Sequence, residues 1–158
     1  MPNPPSRLRE LLNSLAEITD RSERMEWLID YSERFQEVPP DVAKRPFPES
    51  HRVPGCESEA FVWSKTDDQG NPRFFFAVEN PQGVSARAFA KMLDETVSGA
   101  KTEEILAIER EIVYEIFGRG LALGKGQGLM GILFMVQALA KNSANRQDSI
   151  VPQAKKPQ

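Results

Sequence analysis

The sequence predicts an α+β fold: a small antiparallel sheet of two to three strands packed against about five helices. Apolar residues recur at helical spacing near the N-terminus and again across the C-terminal half. Between those regions lie two short aromatic and β-branched runs, Ala60–Trp63 and Phe74–Val78, joined by Asp67-Asp68-Gln69-Gly70-Asn71-Pro72. Strands gathered in the middle, rather than alternating with helices, argue against a doubly wound sheet.

Each element has its own signal. Residues 1–5 are Pro-rich and read as a flexible lead. Leu8, Leu11, Leu12, Leu15 and Ile18 then fall on one face of a helix. Asp20 followed by Glu23 has the pattern of a capping box and starts a second helix, with Trp27, Leu28, Tyr31 and Phe35 on its apolar face. Pro39 and Pro40 stop it, and the stretch to Ser50 reads as an extended connection. The two aromatic runs form a hairpin around the Asp67–Pro72 turn, and His51-Arg52-Val53 is a candidate third strand at one edge.

Beyond Asn80-Pro81-Gln82-Gly83 the helical period returns. Phe89, Met92, Leu93 and Val97 share a face, and Gly99 is placed to end that helix. Thr102 is a candidate cap for the next segment, with Glu103 and Glu104 at its positive end. A short helix through Ile112, Val113, Ile116 and Phe117 stops at Gly118. A flexible glycine-rich stretch, Gly118 to Gly128, then leads to a last helix carrying Leu129, Ile132, Leu133, Val136 and Leu139. One domain over residues 6–141 is expected, with 142–158 a disordered tail.

Composition narrows the function. A chain of 158 residues suits one domain and buries a core without disulfides or a structural metal. Net charge is −3 with both signs interspersed, unlike the one-sided basic surface of a nucleic-acid binder. The N-terminus lacks the apolar core of a secretory signal, and no transmembrane span is expected. A single cysteine rules out an internal disulfide and fits a reducing, cytoplasmic location.

The chemistry-bearing candidates are few. Gly118–Gly128 contains a Gly-Lys pair, but Arg119 stands where a phosphate loop needs its first glycine. Gly126 stands where that loop needs a hydroxyl. The better reading is a loop that brings Lys125 near the N-terminus of the last helix, where an anionic sulfur species would be attracted. His51, five residues before Cys56, suggests a Cys–His pair, although such pairs usually meet from distant segments. One Cys and one His without paired spacing do not make a zinc site. Cys56 remains. Pro54-Gly55 places it at the apex of a turn, Ser58 offers a hydroxyl, and Arg52 is near enough to favour a thiolate, with Glu57 and Glu59 opposing. Residue chemistry alone leaves it balanced between a reactive group and an inert buried thiol.

The run Val53-Pro54-Gly55-Cys56-Glu57-Ser58, followed by the apolar strand Ala60–Trp63, resembles the SufE family of cysteine-desulfurase partners. Phe35 to Pro40, Ser98-Gly99, Thr102-Glu103-Glu104-Ile105-Leu106 and Gln127-Gly128-Leu129 resemble further family stretches in the same order. The resemblance spans Leu8 to Ala140. It implies the α+β fold shared with IscU-like iron–sulfur scaffold proteins. It also implies a role in which Cys56 takes persulfide sulfur from a SufS-like cysteine desulfurase, stimulates that enzyme, and passes sulfur to a scaffold. The pyridoxal phosphate belongs to the partner, so no cofactor is expected on this chain. Supporting roles fall to Arg52, Gly55, Ser58, Lys125, Glu79 and His51. Lys125 stands where the family usually has Arg, keeping the charge without the bidentate fork. Glu79-Asn80-Pro81 replaces an Asp-rich turn. Two other classes stay open: a non-covalent adaptor that activates a desulfurase, and a stand-alone cysteine hydrolase using Cys56 and His51.

Overall fold

The computed structural model describes residues 1–154. The sheet is a hairpin of β1 (Ala60–Thr66) and β2 (Pro72–Val78) in antiparallel register, with Val62 opposite Phe76 and Trp63 opposite Phe75. Alternation along the strands sends Ala60, Val62, Phe74, Phe76 and Val78 into the main core. Phe61, Trp63 and Ala77 point to the other face, where Val38 and Phe47 cover them. Both faces are therefore buried, which is why each strand reads as a nearly continuous apolar run.

A two-stranded sheet has two edges, and each takes one backbone contact from a neighbouring segment here. On the β2 side the Val38 N–H donates to the Phe76 carbonyl at 2.8 Å. On the β1 side the expected third strand is reduced to one bridge, Arg52 opposite Phe61, after a 3₁₀ turn at Glu49–His51. Pro48 and Pro54 flank this segment, and neither can donate to a ladder.

The helices wrap the inner face. α1 (Ser6–Ala16) buries Leu8, Leu12 and Leu15, each contributing about 1.5–3 kcal/mol of apolar burial. The lead into it is less free than its prolines suggest, because Pro5 is buried and its carbonyl accepts from Leu8 and Arg9. α2 (Arg21–Glu33) starts at Asp20, whose carboxylate accepts from the Glu23 N–H at 3.0 Å. The capping expectation is met on that side. α3 (Val84–Val97) is the central helix, with Ala88, Phe89, Met92, Leu93 and Val97 fully buried. Its end is tied to the sheet: the Ser98 hydroxyl accepts from the Phe74 N–H, and the Gly99 N–H donates to the Pro72 carbonyl.

α4 (Thr102–Leu106) and α5 (Ile112–Phe117) are short. Thr102 is not the cap of α4 but its first residue; Lys101 holds the cap position and its N–H donates to Glu104 at 3.4 Å. α6 (Leu123–Ala154) closes the core with Leu129, Ile132, Leu133, Val136 and Ala140. Two expectations need correction at α6. It begins inside the glycine-rich stretch, so only Gly118 to Ala122 is loop. It also continues to Ala154, through the segment from Asn142 that was expected to be disordered, because adding residues to an already nucleated helix costs little. Residues 155–158 lie outside the described residues. The stretch Leu123–Asn145 is long and apolar enough to cross a membrane by length and composition. In this fold its apolar face packs against β1 and α4.

Candidate functional site

Cys56 sits at the tip of a short loop whose stem is pinned. The Val53 N–H donates to the Ala60 carbonyl at 2.8 Å, next to the Arg52–Phe61 bridge. Gly55 takes a left-handed conformation (φ +68), which the Pro-Gly pair makes accessible. Beyond the cysteine the chain turns again, with the Glu59 N–H donating to the Cys56 carbonyl at 3.0 Å. Glu59 itself has φ +54, a conformation costing a non-glycine residue about 1 kcal/mol. The expected apex position is therefore observed.

The loop does not point outward. Cys56 is only 8% exposed and packs with the main core. Beside it lies a cavity of about 40 Å³, whose walls include Ser58 from the loop, Ser85 and Ala86 from α3, and Lys125 and Gly128 from α6. A space this size holds about one water-sized group, far below the several hundred Å³ of an organic-ligand pocket.

Two residues not singled out as site candidates hold the loop. The Asn80 side-chain amide donates to the Glu57 carbonyl at 3.2 Å, and its backbone N–H donates to the Ser58 carbonyl at 3.1 Å. Arg87 in turn binds the carbonyls of Val78 and Asn80, at 3.1 and 2.8 Å. Asn80-Pro81-Gln82-Gly83 reads in sequence as a plain turn, and nothing local shows that it grips another loop.

The glycines of α6 are the other missed feature. Gly124, Gly128 and Gly131 lie on one helical face, and that face receives the cysteine loop. A Cβ on Gly128 would stand 3.5 Å from both Cα and Sγ of Cys56. A Cβ on Gly131 would stand 2.9 Å from Cγ1 of Val53. Spacing of four and three residues was the available signal; reading the stretch as a loop concealed it.

Of the other candidates, Ser58 and Lys125 line the cavity with Cys56, and Gly55 shapes the turn. The Ser58 hydroxyl has no hydrogen bond among the described residues. Arg52, Glu79 and His51 do not line the cavity. Arg52 pairs with Glu59 at 3.4 Å and Glu49 at 3.7 Å, so the acid expected to oppose it has captured it. The Glu79 carboxylate binds Arg45 at 2.6 Å; that residue supports the loop only through its backbone N–H, which donates to the Glu59 carbonyl. Hydrogen bonds that Arg45 donates to the Glu37 and Glu79 carboxylates raise its pKa above the ordinary value. The His51 Nδ1–H donates to the Val62 carbonyl at 2.9 Å and its ring stacks on Trp63. Strand alternation explains this last placement, since Trp63 lies on the outer face of the sheet. Among the described residues no cluster of three or more potential ligands could hold a metal.

The fold and site define a class: a small α+β domain that shelters one thiol on a pinned loop beside a one-atom cavity. The chain belongs to the SufE family, described as an Fe-S metabolism associated domain, which matches residues 9–140. That membership associates it with iron–sulfur metabolism. The comparison with curated proteins gives no significant match. Among solved structures it is similar to the solution structure of a hypothetical protein from Thermus thermophilus. The TM-score is 0.70 at 23% identity, covering 90% of this chain and 98% of that one. At that identity the likeness speaks for the fold.

Proposed function

We propose that the protein accepts sulfur on Cys56 from a cysteine desulfurase and carries it for iron–sulfur cluster assembly. The observation that carries this reading is the cavity beside Sγ, which suits one additional sulfur atom and no organic substrate. In the transfer, the Cys56 thiolate attacks the outer sulfur of the donor's persulfide. The new S–S bond forms as the donor's S–S bond breaks, the donor cysteine leaves as a thiolate, and the proton stays on the transferred sulfur. No external oxidant or reductant is consumed. Lys125 supplies positive charge near the thiolate, opposed by Glu57 in the same lining, and the small size of the cavity keeps stray thiols from the persulfide.

Attack requires that Cys56 leave its sheltered position, so the partner must shift the loop while the stem at Val53 and Ala60 holds. Sulfur would then return with the loop into the cavity. A lone acceptor thiol also needs a reducing compartment, which supports a cytoplasmic location. A hydrolase using Cys56 and His51 gains no support, because the two side chains serve opposite faces of the hairpin. The test is intact-protein mass spectrometry after incubation with a cysteine desulfurase and cysteine. The wild type should gain sulfur mapped to Cys56, and Cys56→Ser should fold and gain none. Stimulation of the desulfurase by Cys56→Ser, with no sulfur on the wild type, would establish an adaptor instead.

A further inference from the structure

The loop before α6 forms one wall of a groove of about 710 Å³ that the thiol chemistry does not use. The opposite wall is the start of α2. Arg21, Arg24, Arg119 and Lys125 line it, and Glu115 is the only carboxylate among its lining residues. Arg24 is committed to the fold, since its guanidinium donates to the carbonyls of Glu115 and Ile116 at the end of α5, at 2.6 and 3.0 Å. Its charge still faces the groove. Arg21, Arg119 and Lys125 are exposed and have no ion-pair partner among the described residues.

The floor of this groove is apolar. Leu28, Phe117 and Leu121 contribute to it, and Met25 is 55% exposed at its margin. Unpaired cations around an apolar floor complement a peptide segment that carries carboxylates on either side of an apolar side chain. A nucleic acid would use the cations too, but Tyr114 and Phe117 are the only rings among the lining residues on which its bases could stack. Position adds the remaining argument. Lys125 lines both this groove and the Cys56 cavity, so the two spaces adjoin at that side chain.

We propose that the groove between the start of α2 and the Gly118–Lys125 segment docks an acidic, apolar-anchored segment of the protein that delivers sulfur to Cys56. The inference rests on the acceptor reading above and assigns the surface that reading lacks. Docking there places the segment against the Lys125 side of the cavity. The partner would thus engage the wall of the thiol's shelter at the moment of transfer.

The test is the association rate of the full-length protein with the cysteine desulfurase of its own cell, at low and high salt. Arg21→Glu/Arg119→Glu should slow association about tenfold at low salt, with the difference shrinking as salt rises. Arg21→Lys/Arg119→Lys, which keeps the charge, should stay near wild type, and both variants should load sulfur fully at saturating desulfurase. A charge-reversed variant that associates at the wild-type rate, while the wild type gains sulfur, would overturn the groove and leave the acceptor reading intact. Salt-sensitive association lost on charge reversal, with no sulfur reaching the wild type, would uphold the groove and reject the acceptor reading. Tight binding of a labelled single-stranded oligonucleotide, lost in the same variant, would overturn the assignment to a protein segment.

Discussion

Replacing Gly128 with alanine separates stability from sulfur uptake. The new Cβ would stand 3.5 Å from both Cα and Sγ of Cys56, an ordinary contact that demands no rearrangement. Alanine in a helix interior is favoured over glycine by about 0.8–1 kcal/mol, which is about 2–4 °C in Tm for a chain of this size. The variant should therefore melt higher than the wild type. The same methyl group adjoins a cavity of about 40 Å³, which holds about one water-sized group. A methyl and a second sulfur cannot share that space without overpacking, at about 1–3 kcal/mol, so sulfur uptake should fall about tenfold. Gly131→Ala is the control, since it changes helix propensity equally. Its Cβ would meet Val53 Cγ1 at 2.9 Å, and overpacking should cancel or exceed the helix gain, giving a Tm at or below wild type. Thermal unfolding by circular dichroism and intact-mass sulfur uptake read both effects. Wild-type sulfur uptake by Gly128→Ala, or a Tm several degrees lower, would refute the geometric reasoning.

Two further substitutions probe the support around the thiol. Asn80→Ala removes the amide bond to the Glu57 carbonyl, worth about 1 kcal/mol. The loop should open more often, and alkylation of Cys56 by iodoacetamide should speed up several-fold; an unchanged rate would show that Asn80 does not hold the loop. His51→Ala should lower Tm, because it loses the bond to Val62 and the stack on Trp63, while sulfur uptake stays within about twofold. A loss of uptake beyond tenfold with a modest change in Tm would restore the Cys–His pair.

Much of the fold was legible locally. The Asp20–Glu23 cap, the Leu8-Leu12-Leu15 stripe and the hairpin each depend on residues close in the chain, and close residues express their chemistry in short patterns. The family resemblance from Leu8 to Ala140 agrees with the matched span 9–140. Arg52 and His51 sit away from the cavity for the complementary reason. Closeness to Cys56 in sequence says nothing about which face of a strand a side chain takes, or which opposite charge captures it first.

Cys56 as the single thiol, on a turn made by Pro54 and Gly55, follows from the sequence alone, because turn geometry is set by φ preferences of the residues in it. Whether that thiol is sheltered or exposed depends on what packs against the loop. Only the tertiary structure decides it: the glycine face of α6 removes the side chains that would hold the loop away, Asn80 grips the tip from across the hairpin, and Lys125 reaches the cavity from a helix far downstream in the chain. Such contacts are set by close approach between distant segments, and a glycine records in sequence only that nothing is there.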